Sequence, residues 1–199
     1  MKRSILFLLF LLVTSSLFAY NDHQIDSLYK QLINADDSIK AGLLNDLSWE
    51  LRNSEPQKSI EYGLEAIKFA TDYQDYENLV KAHSFIGVAY RILGNYSESM
   101  DYYYKGLELA KIHNQKEQEG YAYINIGNLH IYQGHYYNAI ENLNKARVIA
   151  QELDHKRMLA YVSLNLGRAQ MLRNENYIAL KNFQKALEIR IGINQISGQ

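Results

Sequence analysis

A short pattern recurs along this chain at a fixed interval of 40 residues. Ser84-Phe85-Ile86-Gly87-Val88-Ala89-Tyr90 aligns with Ile124-Asn125-Ile126-Gly127-Asn128-Leu129-His130 and with Leu164-Asn165-Leu166-Gly167-Arg168-Ala169-Gln170. The register holds well beyond the glycines. Seven residues on stand Gly94, Gly134 and Asn174, which tolerate the left-handed backbone of a tight turn. Twelve on come Ser99, Ala139 and Ala179; sixteen on, Tyr103, Leu143 and Phe183; nineteen on, Gly106, Ala146 and Ala186. A step back of 40 finds a weaker copy with Leu47 in the glycine column, followed by Ser59, Gly63 and Ala66. A repeat of this length implies stacked units that bury one another's apolar faces.

Each copy reads as two helices. Apolar residues follow three- and four-residue spacing from Ala82 to Leu93 and again from Met100 to Ala110, with the turn Gly94-Asn95 between them. In the first copy the turn is Asn53-Ser54-Glu55-Pro56, with proline where a helix can begin. Gln74-Asp75, Asn114-Gln115, Asp154-His155 and Asn194-Gln195 recur as stops between copies. A mid-helix glycine costs about 1 kcal/mol against alanine, so three in one column demand close approach of a partner helix. The reading is an all-α, right-handed superhelical solenoid of antiparallel helix pairs.

Composition narrows what such a solenoid does. A single proline suits a chain that is helical nearly throughout. Met1-Lys2-Arg3, an apolar run from Ile5 to Val13 and the small residues up to Ala19 form a secretory leader, with cleavage expected after Ala19. The apolar run is shorter than the ~20 residues of a membrane-spanning helix, which argues against the alternative of a retained anchor. The absence of cysteine excludes disulfides, thiolate metal sites and a lipid-modified cysteine. The net charge of −1 would fall to −3 on loss of Lys2 and Arg3, which points away from nucleic acid. An exported protein of the bacterial periplasm or cell envelope is expected.

The repeat resembles the tetratricopeptide repeat (TPR) family over roughly residues 39 to 195. The family's small residue appears as Gly87, Gly127 and Gly167, its turn-adjacent aromatic as Tyr96 and Tyr136, and its second-helix small residues as Ser99, Ala139, Ala179, Ala146 and Ala186. The period of 40 exceeds the ~34 of the common form and matches the extended subclass. The expected organisation is a leader over 1–19, a lead-in over 20–38, a degenerate first repeat over 39–75, and repeats over 76–115, 116–155 and 156–195. Residues 196–199 would begin a further repeat.

The resemblance implies a concave wall lined by the first helix of each pair. With the glycine as position 8, that wall carries positions 2, 5, 6, 9 and 12, which share one helix side. These are Ala41, Leu44, Asn45, Ser48 and Leu51 in the first copy, and Lys81, Ser84, Phe85, Val88 and Arg91 in the second. The third copy supplies Tyr121, Ile124, Asn125, Asn128 and Ile131, and the fourth Tyr161, Leu164, Asn165, Arg168 and Met171. The residues expected to hold a partner are Asn45, Lys81, Arg91, Tyr121, Asn125, Asn128, Tyr161, Asn165 and Arg168. Asn45, Asn125 and Asn165 share one column, and an amide can both donate to and accept from an extended peptide backbone. The same asparagines could instead bond neighbouring helices or water. Tyr121 and Tyr161 are open to two roles, groove anchors or packing between copies. The lysines and arginines with which chaperone-binding members clamp a terminal carboxylate are missing.

No catalytic or metal-binding constellation is present. The six histidines form no zinc signature, and His130, which takes the place of a core aromatic, is expected to be a packed ring. Phosphate-loop, dinucleotide and nucleophile-elbow motifs are absent. The function expected is a non-catalytic scaffold, without cofactor, that binds a protein or peptide in its groove. An alternative is the sensor module of a larger membrane signalling protein with a kinase, cyclase or transcriptional output. Leu43-Leu44-Asn45-Asp46-Leu47-Ser48-Trp49, after a leader, is similar to the N-terminal region of Bacteroidetes-type sensors. Only a missing downstream segment would then meet the membrane. The last helix carries Leu180, Phe183, Leu187 and Ile189 where a neighbour is expected, so self-association through an uncapped C-terminal repeat is a further expectation.

Overall fold

Six residues with positive φ set the period of the molecule. Gln74 (55°), Gly94 (80°), Asn114 (55°), Gly134 (77°), Asp154 (46°) and Asn174 (63°) stand 20 residues apart, and each lies just beyond the end of a helix. A left-handed residue there turns the chain and lets the next amide close back on the helix. The Asp75, Asn95, Gln115, His135, His155 and Glu175 amides each donate to the carbonyl five residues earlier, at 2.8 or 2.9 Å. The expected turns at Gly94, Gly134 and Asn174 therefore have the predicted backbone, and so do three of the stops between copies.

The computed structural model describes residues 23–197, with side chains through residue 193. The expected leader lies outside them. Helix α1 occupies residues 23–33, followed by α2 (Asp37–Leu51), α3 (Pro56–Asp72), α4 (Tyr76–Ile92) and α5 (Tyr96–Ile112). Then come α6 (Lys116–Tyr132), α7 (Tyr136–Glu152), α8 (Lys156–Leu172) and α9 (Asn176–Ser197). The described residues contain no strand. Short turns make successive helices antiparallel neighbours. From α2 to α9, contacts beyond sequential neighbours occur only between α2 and α4, α4 and α6, and α6 and α8, and α1 meets α3 through Tyr29 and Tyr62. One layer, α2-α4-α6-α8, is thus crowded on itself, while α3, α5, α7 and α9 stay apart from one another. The crowded layer is the inner side of the curve. The fold is an all-α helical-repeat solenoid.

The glycine column has the steric cause expected of it. A Cβ on Gly87 would lie 2.5 Å from the ring of Tyr103, on Gly127 2.8 Å from Leu143, and on Gly167 2.6 Å from Phe183. The Ser99 hydroxyl uses the same close approach to donate to the Gly87 carbonyl at 2.8 Å. Between copies, Leu143, Ala146 and Ile149 of α7 pack with Met158, Val162 and Leu166 of α8.

The first repeat departs from its expected register. Its turn closes one residue sooner, with Glu55 donating to the Leu51 carbonyl four residues back. The helix pair is consequently offset by 39 residues in its first helix and by 40 in its second. Ser48, not Leu47, takes the glycine position: the Ser59 hydroxyl donates to the Ser48 carbonyl at 2.6 Å, as Ser99 does to Gly87. Leu47 packs in the core. The first copy has its small residue after all.

The expected stop at Asn194-Gln195 is also corrected, because α9 continues through it to Ser197. Asparagine only permits a left-handed turn. At Gln74, Asn114 and Asp154 the turn is held by the helix that follows and docks on the same repeat. No such helix packs on α9 among the described residues, and the backbone stays helical.

Candidate binding groove

The inner layer encloses a groove of about 720 Å³, and every side chain that lines it comes from α2, α4, α6, α8 or the turn after α2. Residues 88, 91 and 92 follow residues 81, 84 and 85 at helical spacing, so one stripe of α4 forms the middle of the wall. Trp49 from α2, Phe85 from α4, Tyr121 from α6 and Tyr161 from α8 supply one aromatic ring per repeat. The rings of Trp49 and Phe85 sit 5.0 Å apart. Aromatic side chains of this kind bury much area at small entropic cost, which suits a binding surface.

Of the nine residues expected to hold a partner, the groove brings together Lys81, Arg91, Tyr121, Asn125, Asn128 and Tyr161. Asn125 lies in mid-helix on α6, and its side chain makes no hydrogen bond with the described residues. Asn128 is 9% exposed at the groove floor, and its buried amide oxygen has no partner among them. Asn45, Asn165 and Arg168 are corrected: none lines the groove. Asn45 is 1% exposed and donates to the Asn78 carbonyl of the next repeat at 2.9 Å. Asn165, equally buried, donates to the Tyr161 carbonyl one turn back and accepts from Arg168. The asparagine column is therefore mostly structural. A buried amide needs partners, and at two of its three positions a backbone carbonyl accepts from the amide nitrogen, although the Asn45 oxygen has no partner among the described residues.

Sequence reasoning missed Asp46, Trp49, Arg52 and Asn53, which form the groove wall on α2 and its turn. The cause is the slipped register, since one residue rotates a helix face by about 100°. Ala41, Leu44, Asn45, Ser48 and Leu51, expected on that wall, are buried against α3 and α4 instead. The signal was present in Ser48, a small residue 11 before Ser59, and in the chain's one tryptophan beside it.

Charge along the groove is partly self-neutralised. Lys81 pairs with Glu77 at 2.5 Å, and Glu117 meets the His155 ring at 3.1 Å. Burial pushes the Asp46 carboxyl up from the usual carboxylate range, with Lys81 opposing. Burial also raises the Tyr121 phenol, helped by Glu117. Arg52 stacks on the Trp49 ring with its guanidinium carbon 3.6 Å from the centroid. Nothing in this set forms a nucleophile–base pair. What the surface offers is apolar contact, cation–π stacking and unfilled amide hydrogen bonds.

Stacked antiparallel helix pairs around an open inner groove define a helical-repeat scaffold. Residues 80–113 and 120–146 match the tetratricopeptide repeat family, and the chain is a solenoid of tetratricopeptide-like helix pairs. No curated protein matches it in sequence. Among solved structures, a Rap protein complexed with competence and sporulation factor is similar with a TM-score of 0.77 at 16% identity, covering 89% of this chain and 51% of that one. A signal-transduction ATPase with numerous domains and a tetratricopeptide repeat sensor, from Pyrococcus horikoshii, gives 0.70 at 16% identity over 93% of this chain and 29% of that one. MamA gives 0.56 at 18% identity, covering 92% and 95%. The chain spans about half the length of that Rap protein and less than a third of the ATPase. At these identities the likeness is one of fold.

Proposed function

We propose that this chain is a non-catalytic scaffold that binds a protein or peptide segment in its inner groove. One observation carries the reading: an open groove of about 720 Å³ with an aromatic side chain from each of four successive repeats and an unpartnered amide at its floor. A Rap protein of the same fold has been seen in complex with competence and sporulation factor, which supports a ligand-binding use of such a solenoid. Export to the periplasm or envelope belongs to the same proposal and rests on the leader-like Met1–Ala19. Among the described residues no helix is long and apolar enough to cross a membrane.

The test uses Trp49, the single tryptophan, as a reporter inside the groove. Peptides selected on the full chain from a displayed library should change its Trp49 emission on binding. Phe85→Ala with Tyr121→Ala should weaken them at least tenfold at unchanged helicity. Peptides that bind with neither effect would move the site to another surface. Export is checked by fractionating cells that express the full chain, with and without residues 1–19. A second reading, the sensor module of a larger signalling protein, is favoured by the likeness to the ATPase whose repeats serve as a sensor. Reading the coding frame beyond residue 199 decides between the two.

A further inference from the structure

The charged side chains of the groove are not evenly satisfied. Lys81, Glu77 and Glu117 have partners, and the Asp46 carboxyl is biased by burial toward its neutral form. Among the described residues neither Arg52 nor Arg91 has a carboxylate within ion-pair distance, and Arg91 has the Tyr103 hydroxyl as a neutral hydrogen-bond partner. Arg52 lies on Trp49 and donates to that residue's own carbonyl, while Arg91 stands 4.9 Å from the ring of Tyr132. Burial lowers the Arg52 pKa from its ordinary value, with Glu50 and Tyr161 opposing. A guanidinium does not deprotonate in a protein. Both therefore remain charged on a partly dry wall, where a cation gains most from an anion brought to it.

The positions of the two arginines are equivalent. In the 39-residue offset of the first repeat, Arg52 occupies the place that Arg91 occupies in the second, so both line the groove, Arg52 at the end of α2 and Arg91 in the last turn of α4. Adjacent packed helices lie about 10 Å apart. An extended chain rises about 3.3 Å per residue, so three residues of a ligand span that stretch of the groove. Trp49 and Phe85 stand beside it, and Asn125 on the facing wall of α6 has a side-chain amide that can meet a peptide backbone.

Resting on the groove reading, we infer that the ligand is an extended peptide segment with acidic side chains along the Arg52–Arg91 stretch and a large apolar side chain against Trp49 and Phe85. A polyphosphate chain fits poorly. Glu77 and Glu117 line the same groove, and a continuous polyanion would meet them, whereas a peptide places its charges only where the arginines are.

The probes are labelled octapeptides with both termini blocked, carrying two acidic residues three apart and one phenylalanine between them. Matched sets replace the acids with glutamine or lysine. Binding to the full chain is followed by fluorescence anisotropy. The acidic set should bind at least tenfold tighter than the glutamine set at low salt, and the gap should narrow as salt rises. Arg52→Gln with Arg91→Gln should abolish the preference while leaving the glutamine set unchanged. Arg52→Lys with Arg91→Lys should keep most of it, and circular dichroism verifies that both pairs fold. Equal binding of acidic, amide and basic sets overturns the inference and leaves the groove reading standing. So does a preference that survives Arg→Gln, or one that requires a free C-terminus. A single-stranded oligonucleotide that displaces the acidic peptides at equal affinity overturns the peptide assignment. No binding by any set overturns both.

Discussion

At the scale of single residues, the molecule turns on what a missing Cβ permits. Gly87 and Gly167 occupy the same column, yet the aromatic rings across from them differ in freedom. Tyr103 is fully buried, with the Ser99 carbonyl also 3.2 Å from the Cβ position of residue 87. Phe183 is only half-buried on α9 and can swing outward. Alanine recovers up to about 1 kcal/mol of helix propensity at either site, while overpacking costs about 1–3 kcal/mol. Gly87→Ala should therefore destabilise the chain, and Gly167→Ala should be near neutral or stabilising. Urea midpoints for the two variants check the order, and the reverse order would contradict the packing described here. His83 supplies a second case. Burial lowers its pKa to about 4, with Lys105 adding to the effect. The unfolded chain takes up this proton below about pH 6.5 and the native chain only near 4. Stability is thus full above 6.5, falls as pH drops through that window, and falls no further from this group below it. The loss is at most about 3 kcal/mol, and the lowered pKa of His130 acts in the same direction. His83→Gln should lose less stability than the parent between pH 7 and 4.5, measured by urea unfolding at both.

At the scale of elements, the informative one is the α2–α3 pair. Six turns of the same form, each with a positive-φ residue, space the later helices evenly. The Asn53-Ser54-Glu55-Pro56 turn is one residue tighter, and this alone rotates α2 so that Trp49 and Arg52 enter the groove while Leu47 enters the core. Ser48 and Ser59 exchange hydroxyl-to-carbonyl bonds at 2.8 and 2.6 Å across the contact. Ser48→Ala leaves the Ser59 bond in place and should cost roughly 1 kcal/mol. Ser48→Leu drives a side chain into α3 and should cost about 1–3 kcal/mol more. Were Leu47 the residue facing α3, leucine at 48 would be tolerated, so thermal denaturation of the two variants separates the registers.

At the scale of the whole molecule, each repeat is covered by the next, and among the described residues α9 packs against α8. Leu187 stands at the register position of Leu107. Leu107 is 7% exposed beneath α6, whereas Leu187 is 59% exposed. Leu180 and Ile191 are also exposed on α9. A face built like an inter-repeat contact favours a second copy at high concentration. The expected outcome is a mass above monomer in size-exclusion chromatography with light scattering, reduced by Leu180→Lys with Leu187→Lys. A mass unaffected by those changes would place any association elsewhere.

How much of this was legible in the sequence follows from the range of each interaction. The helix pairs, their turns at Gly94, Gly134 and Asn174, and the crowding at Gly87, Gly127 and Gly167 were determined by sequence alone, because spacing, backbone tolerance and side-chain size act locally and repeat at a constant interval. So was the aromatic and amide content of the inner stripe on α4 and α6. The tertiary structure decided which residues of α2 face the groove, because a single residue in one turn rotates a whole helix. It also decided that the Asn45 and Asn165 side chains donate to backbone carbonyls of the fold while Asn125 lines the groove. One column of identical side chains meets different neighbours at different repeats, and hydrogen bonding follows the neighbour rather than the column.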